Sequence, residues 1–279
     1  MKLTSIDNIK NILRDKPLKK LGQNFLINEE VIEKLISAAE INDGDKILEI
    51  GPGVGALTEK LTEKATVIAV EKDSRLIDHL KEMESKSLTV LRADFLNVSL
   101  EKYLQSNYKV VSNLPFNVAT PIIRKLLKEN PPSLIVVIVQ KEVAQRIESK
   151  GEKENFLSTI IKFRGEPEIV STIPKNNFWP SPEVDASILK ITPHSKYSKK
   201  EEEFSNLFFK VVEAGFLHPR KQIKNNLTGL NNFSKENIEN ILINLNIDPK
   251  KRGEDLNLDD WIRITDKYLT LNKKENKII

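Results

Sequence analysis

The sequence predicts an α/β fold with a doubly wound, mainly parallel sheet, followed by a small all-helical C-terminal domain. Three observations support this class. Short apolar runs rich in valine and isoleucine alternate with amphipathic segments through the first two-thirds of the chain, and past residue 200 the pattern is helical alone. Repeated strand, helix and strand segments indicate parallel strands joined by crossover helices. The 279 residues are enough for one large domain and a smaller companion.

The predicted elements follow from these patterns in chain order. Five apolar runs are predicted strands, at residues 46–50, 65–71, 88–94, 108–114 and 134–140. Amphipathic helices are predicted at residues 28–41, 73–85 and 120–129. Two later runs, at residues 168–173 and 186–191, are predicted to complete the sheet as a hairpin-like edge.

The last third of the sequence predicts helices. Apolar residues at helical spacing run from Phe204 to Gly215, and further helices are predicted at residues 238–247 and 258–269. A polar, low-complexity stretch at residues 192–200 is interpreted as a linker. We therefore expect a first domain at residues 1–195, with a basic N-terminal segment, and a helical domain at residues 196–279.

Composition limits the possible functions. Forty-four lysines and arginines against 40 acidic residues give a net charge of +4, which permits a polyanionic partner without requiring one. No cysteine is present and the three histidines are scattered, so no metal site is expected. The longest apolar run, residues 134–139, is too short to cross a membrane, and no apolar leader is recognisable. We expect a cytoplasmic protein with no membrane partner.

Glycine and acidic residues follow the first three predicted strands. Gly51 and Gly53 belong to a G-x-G-x-x-A pattern, Glu71 lies 71 − 51 = 20 residues beyond Gly51, and Asp94 follows the third strand. Ligands of such sheets bind beyond the carboxyl ends of the strands, and a carboxylate at this spacing binds ribose hydroxyls. Glu49 is interpreted as a residue behind the cofactor. The pattern predicts a nucleoside-containing cofactor, either a nicotinamide dinucleotide or S-adenosylmethionine.

The segment Asn-Leu-Pro-Phe, residues 113–116, follows the fourth strand and should face the same crevice. The N6 amine of adenine is a poor nucleophile, and fixed acceptors such as Asn113 Oδ1 and the Leu114 carbonyl would draw on its hydrogens. Pro115 would make this corner rigid and Phe116 would stack on the base. The alternative is a strand-ending turn with a core phenylalanine. The position of the Asn-Leu-Pro-Phe segment beside a cofactor loop favours a role in adenine methylation over this alternative and over hydride transfer.

Longer motifs extend this interpretation over nearly the whole chain. LGQNFLIN (21–28), EIGPGVGALT (49–58), SNLPFNVATP (112–121) and FWPSPEVDASILKI (178–191) occur in this order. The chain thereby resembles the rRNA adenine N6-dimethyltransferases, specifically the bacterial small-subunit type associated with kasugamycin sensitivity. This resemblance implies a Rossmann-like S-adenosylmethionine methyltransferase sheet and a helical rRNA-binding domain. It also implies a monomer that methylates two adjacent adenosines near the 3′ end of small-subunit (16S) rRNA within a pre-30S particle, with a role in small-subunit biogenesis.

The resemblance also implies roles for individual residues. The cofactor, S-adenosylmethionine, would be contacted or bordered by Asn24, Leu26, Gly51, Glu71, Asp94 and Asn113. Among these, Glu71 is assigned to the ribose and Asp94 to the cofactor's adenine, and the glycine turn adds Gly53. The target adenine is assigned to Asn113, Leu114, Pro115 and Phe116.

Basic residues near the motifs are expected to bind RNA. They are Lys19, Lys20, Lys141, Arg146, Arg220, Lys221 and Lys224. The stretch at residues 215–227 resembles the family's basic helix, on which Arg220 and Lys224 are predicted to share a face. The sequence departs from the family twice, with Phe116 in place of tyrosine and Pro219 in place of arginine.

Two alternatives to the small-subunit enzyme remain open at this point. One is a large-subunit (23S) rRNA adenine methyltransferase of the macrolide-resistance type, which shares the cofactor core. The other is a ribosome-assembly factor that keeps the fold without catalysis. The C-terminal motifs at residues 215–227 and 251–264 favour the small-subunit enzyme, and the intact cofactor residues oppose a loss of catalysis.

Overall fold

The computed structural model of the protein describes residues 2–104, 107–128, 131–149, 153–194, 202–230 and 234–275. The chain divides into two compact units, Met1–Gln145 with Glu166–Pro193 and Arg146–Gly165 with His194–Ile279. Residues 146–165, which the sequence patterns assign to the first domain, belong to the second unit in the structure. Most of the predicted linker, residues 195–200, lies outside the described residues.

The first unit contains the sheet and its crossover helices. The helices are α1 (Ile6–Leu13), α2 (Glu29–Ala38), α3 (Ala56–Thr62), α4 (Ser74–Glu82), α5 (Ala119–Lys128) and α6 (Lys141–Glu148), the last of which runs into the second unit. The strands are β1 (Phe25–Leu26), β2 (Lys46–Ile50), β3 (Thr66–Glu71), β4 (Leu88–Arg92), β5 (Lys109–Asn113), β6 (Leu134–Gln140), β7 (Gly165–Ile173), β8 (Phe178–Trp179) and β9 (Ala186–Pro193).

Seven of these strands form one sheet in the order β4-β3-β2-β5-β6-β9-β7. The first five strands in this spatial order, β4, β3, β2, β5 and β6, are parallel to one another. The next strand, β9, pairs with β6 in the antiparallel sense. From β2 the chain builds β3 and β4 on one side and β5 and β6 on the other. The topological switch point therefore lies between β2 and β5, where sheets of this kind bind their ligands. The predicted doubly wound α/β class is confirmed.

Burial explains why the central strands are almost continuously apolar. Every residue of β6 before Gln140 is buried, as expected for a strand covered on both faces. By contrast, β7 at the sheet edge alternates exposed residues with half-buried ones and is buried only at its two ends. The main apolar core of this unit joins α1 and α2 to the sheet through residues such as Ile9 and Leu35, which are fully buried.

Short elements were not predicted from the sequence. β1 and β8 are two residues each and pair in the antiparallel sense, with Phe25 opposite Trp179. Strands this short have no readable alternation, because the side-chain period of a strand is itself two residues. Together they bring the predicted motifs at residues 21–28 and 178–191 into contact.

The second unit is built mainly from helices. They are α7 (Phe156–Arg164), α8 (Glu202–Phe216), α9 (Ile223–Asn226), α10 (Lys235–Asn244) and α11 (Leu258–Glu275). Its core includes Trp261 and Tyr268, which are fully buried, and the rings of Phe163 and Phe208, whose centroids lie 4.0 Å apart. A side chain at Gly215 would place a Cβ 2.2 Å from the Trp261 ring, so packing of α8 against α11 requires glycine there.

Candidate active site

A cleft opens in the first unit at the carboxyl ends of β2, β3 and β5. It encloses about 1100 Å³, part of it open to solvent. The structure brings together along its walls most of the residues predicted to bind cofactor and target base: Asn24, Leu26, Gly51, Gly53, Glu71, Asp94, Asn113, Leu114 and Pro115. The cleft lies at the topological switch point, as the sequence pattern predicts.

The loop after β2 needs glycine for two separate reasons. Gly51 and Gly53 have φ angles of 72° and 61°, in the left-handed region that side chains disfavour. A Cβ on Gly51 would also lie 3.3 Å from Pro115 Cγ, and one on Gly53 would lie 3.0 Å from the ring of Phe25. The loop therefore packs closely against both β1 and the Asn-Leu-Pro-Phe segment (residues 113–116). Its backbone lines the cleft, where a ligand can reach it.

Glu71 ends β3 inside the cleft and is held by the main chain. Its carboxylate accepts hydrogen bonds from the amides of Lys72 (2.8 Å), Asp73 (2.7 Å) and Gly53 (3.2 Å). Burial raises the pKa of Glu71 above its ordinary value, and the three amides act in the opposite direction by stabilising the charged form. These bonds fix the carboxylate beside the glycine loop, at the position predicted for ribose recognition.

Glu49 is buried behind the same loop. It is 1% exposed, and the Thr58 hydroxyl donates to its Oε2 at 2.7 Å. Burial, with a smaller contribution from the nearby Glu71 charge, raises the pKa of Glu49 to about 8. A cationic ligand in the cleft would favour the ionised form of this group.

Asp94 lies on the segment that follows β4. Lys72 Nζ donates to its Oδ2 at 2.8 Å, and this bond holds the pKa of Asp94 below its ordinary value. Its Oδ1 accepts from the amide of Leu96 at 3.1 Å. Asp94 is therefore an ionised carboxylate at the cleft wall, suited to accept from an exocyclic amine.

Asn113 is the last residue of β5 and faces the cleft. Its side-chain nitrogen donates to the Asn24 carbonyl at 2.9 Å. Its Oδ1 is buried and accepts no hydrogen bond from the described residues. Because Pro115 has no amide hydrogen, the ladder with β6 ends directly after Leu114, whose amide donates to the Ile138 carbonyl at 3.2 Å. A residue of the cleft wall thus holds a fixed, buried acceptor atom that has no partner among the described residues.

Phe116 is the one residue of the Asn-Leu-Pro-Phe segment that packs outside the cleft lining. It is half-buried, and its ring meets Phe178 edge-on with centroids 5.8 Å apart. It is not among the residues that line the cleft. Its predicted stacking on a target base stays a prediction.

The N-terminal segment (residues 15–26) is held beside the cleft by residues that the sequence patterns do not indicate. Gln23, Asp73 and Arg75 are joined by hydrogen bonds, and Asn117 Nδ2 donates to the Lys20 carbonyl at 2.9 Å. Gln23 and Asn117 stand inside the quoted motifs, but their type and spacing do not indicate which partners the fold gives them.

The predicted RNA-binding residues lie in both units. Lys19, Lys20 and Lys141 belong to the first unit, and Lys20 lines the cleft. Arg146, Arg220, Lys221 and Lys224 belong to the second. No helix in the described parts of the chain is long and apolar enough to span a membrane. Among the same residues, no group of three or more histidine or acidic side chains could hold a metal ion.

The predicted helical face shared by Arg220 and Lys224 is wrong. α9 begins only at Ile223, and Arg220 lies in the exposed turn before it. Lys224 Nζ is engaged by Glu239 Oε1 of α10 at 3.0 Å, and the side chain of Lys224 is 15% exposed. Pro219 belongs to the turn and interrupts the helix that the spacing predicts.

Comparison with known proteins supports one family. The family model described as "Ribosomal RNA adenine dimethylase" matches residues 14–270. A "Ribosomal RNA small subunit methyltransferase A" of Dehalococcoides mccartyi is 38% identical over 260 residues, which are 91% of this chain and 89% of the relative. A protein of the same name from Clostridioides difficile is 40% identical over 258 residues, 87% of this chain and 88% of its own.

Solved structures agree with the fold. A dimethyladenosine transferase from Plasmodium falciparum has a TM-score of 0.72 and 26% identity, covering 90% of this chain and 98% of its own. The 23S rRNA methyltransferase ErmE has a TM-score of 0.67 at 23% identity, covering 88% and 99%, which supports the fold alone. The predicted Rossmann-like methyltransferase fold and enzyme class are confirmed. The chain belongs to the ribosomal RNA adenine dimethylase family.

Proposed function

We propose that the protein transfers methyl groups from S-adenosylmethionine to N6 of two adjacent adenosines near the 3′ end of small-subunit rRNA. The observation that carries the proposal is the fixed, unsatisfied Asn113 Oδ1 in a cleft that also presents the glycine loop, Glu71 and Asp94. The names of the relatives support the small-subunit substrate.

The cleft residues fit S-adenosylmethionine. Gly51 and Gly53 line the cleft, so a ligand can approach their backbone, while Glu71 can accept from ribose hydroxyls and Asp94 from an adenine amine. Glu49 adds a third acidic group, suited to a ligand that carries positive charge. When bound, the cofactor supplies an activated methyl group on a sulfonium. Asn24 and Leu26 also line the cleft.

Asn113 prepares the acceptor amine for attack. Its Nδ2 is held by the Asn24 carbonyl, and its Oδ1, which has no partner among the described residues, is the atom that accepts a hydrogen from adenine N6 once the base has entered the cleft. This bond draws electron density toward the nitrogen and orients its lone pair. Held in this way, N6 would take up the methyl group that a bound cofactor would supply from its sulfonium, leaving a neutral thioether, and the amine would lose its extra proton to solvent. Rate acceleration comes from orientation and from exclusion of water by the buried wall.

Delivery of the base requires binding of the surrounding RNA. We propose that Lys19, Lys20 and Lys141 of the first unit and Arg146, Arg220 and Lys221 of the second contact phosphates in a pre-30S particle. The base must leave its stack to reach the cleft, which costs a few kcal/mol. A monomer in the cytoplasm is the simplest form in which such an enzyme meets its substrate.

The test is transfer of labelled methyl groups from S-adenosylmethionine to four substrates: unmethylated small subunits, large subunits and each naked rRNA. We expect label in small-subunit rRNA alone. Label in large-subunit rRNA would instead support the resistance-type alternative. Cofactor binding with no transfer to any substrate would support the non-catalytic assembly factor.

A further inference from the structure

A hydrogen-bonded group at the start of α4 fastens the N-terminal segment. Gln23 Nε2 donates to Asp73 Oδ2 at 2.7 Å, and Gln23 Oε1 accepts from the Leu18 amide at the same distance. Arg75 Nη2 donates to Asp73 Oδ2 at 2.6 Å, and its Nη1 donates to the Lys16 carbonyl at 3.1 Å. Gln23 therefore joins the segment to the body of the unit through its donor, while its acceptor holds Leu18 within the segment.

Asp73 is a firm anchor for this contact. It is 4% exposed and caps α4 by accepting from the Arg75 amide. Burial alone would raise the pKa of Asp73. Hydrogen bonds from Arg75 and Gln23 outweigh burial and hold this pKa below its ordinary value. Its own amide donates to Glu71 Oε1 at 2.7 Å. The anchor of the N-terminal segment and the fixed carboxylate of the cleft thus share one turn.

The residue after Gln23 holds the acceptor carboxamide. The carbonyl of Asn24 accepts from Asn113 Nδ2 at 2.9 Å, and this bond fixes the carboxamide with Oδ1 as the amide atom that has no partner among the described residues. A displacement of the segment at Gln23 would move that carbonyl directly. Asn117 gives the segment a second attachment at the Lys20 carbonyl, four residues before Asn24, so Gln23 is the nearer restraint.

We propose that Gln23 is a positioning residue for the methyl transfer, which acts through the Asn24 carbonyl on the orientation of Asn113, with Asp73 as its anchor. This inference rests on the proposed function, because it assumes that Asn113 Oδ1 engages the acceptor amine. It assigns no contact with substrate to Gln23 itself.

The test exchanges the carboxamide of Gln23 and the carboxylate of Asp73 between the two positions. Gln23→Glu places a carboxylate against Asp73 and removes the donor, so kcat at saturating cofactor and RNA should fall by roughly 100-fold, the scale of a 1 Å misplacement. The double variant Gln23→Glu with Asp73→Asn restores a hydrogen bond with its direction reversed, and Arg75 can pair with the new glutamate. We expect the double variant to recover most of the lost kcat, whereas Asn8→Ala, which removes an N-terminal hydrogen bond outside the segment, should leave it unchanged.

Hydrogen exchange of residues 18–26 is measured in the same proteins and does not depend on activity. Faster exchange in Gln23→Glu that returns to the original rate in the double variant supports the inference. Unchanged exchange in Gln23→Glu, or a double variant no better than the single one, overturns it. If the original protein transfers no methyl group, the proposed function fails, and the exchange data still decide whether Gln23 holds the segment through Asp73.

Discussion

Asn113 Nδ2 donates to the Asn24 carbonyl at 2.9 Å, and this contact connects two motifs that lie 89 residues apart in the chain. It fixes the carboxamide and leaves Oδ1 as a buried acceptor without a partner among the described residues. The proposed chemistry depends on that orientation, because an acceptor is needed opposite the amine. The same contact explains how the basic N-terminal segment, whose lysines are predicted to bind RNA, also belongs to the active site.

Asn113→Ala should lower kcat by roughly 100-fold or more, the effect of removing one fixed polar group that acts in a transition state. RNA affinity should change little, since the basic residues are untouched. Single-turnover methyl transfer and RNA titration measure the two quantities. Asn42→Ala, which removes an exposed hydrogen bond to the Glu40 carbonyl, is the matched control. Equal losses of turnover and RNA affinity would contradict the assigned role.

Gly53→Ala should abolish tight cofactor binding, because the new Cβ would lie 3.0 Å from the Phe25 ring at the cleft wall. Gly44→Ala is the control, since Gly44 has a φ of +84° but nothing within 4 Å of its Cβ. Both changes should cost about 1 kcal/mol of folding stability through backbone strain. Calorimetric titration with the cofactor separates them. Equal cofactor affinity in the two variants would show that the Phe25 contact is unimportant.

Arg220→Ala with Lys221→Ala should weaken RNA binding and reduce its salt dependence by roughly one unit per lost phosphate contact. Lys224→Ala should leave the salt dependence unchanged, because Lys224 is paired with Glu239 at 3.0 Å. Binding measured across a series of salt concentrations tests both statements. A smaller salt dependence of RNA binding in Lys224→Ala would contradict this arrangement of contacts. An unchanged salt dependence in the double variant would also contradict it.

Glu49→Gln should change how folding stability depends on pH. The pKa of Glu49 is raised to about 8 in the folded protein, so between about 4.5 and 8 the folded state holds a proton that the unfolded state loses. Its contribution to stability is complete below the unfolded value and is lost as pH rises through 8. The variant should therefore gain a few degrees in Tm relative to the original protein between pH 5 and pH 9. A constant difference across that range would contradict a protonated Glu49.

Sequence patterns predict the parallel strands well, because the buried runs at β2, β3, β5 and β6 are mainly apolar, and β3 and β5 end in the polar site residues Glu71 and Asn113. The same reasoning cannot find β1 and β8, whose pairing depends on residues more than 150 positions apart. The partners of Gln23 and the ion pair of Lys224 are likewise long-range contacts. The error at Arg220 has a local cause: Pro219 breaks a helix that charge spacing alone suggests.

The most direct test of the account is identification of the methylated base. Small-subunit rRNA treated with the protein and labelled S-adenosylmethionine is digested to nucleosides for mass spectrometry, and primer extension locates the modified positions, with Asn113→Ala as the blank. The account predicts N6-methylated adenosine at two adjacent positions near the 3′ end and none in the blank. Methylation at another atom or base, or undiminished product from Asn113→Ala, would contradict it.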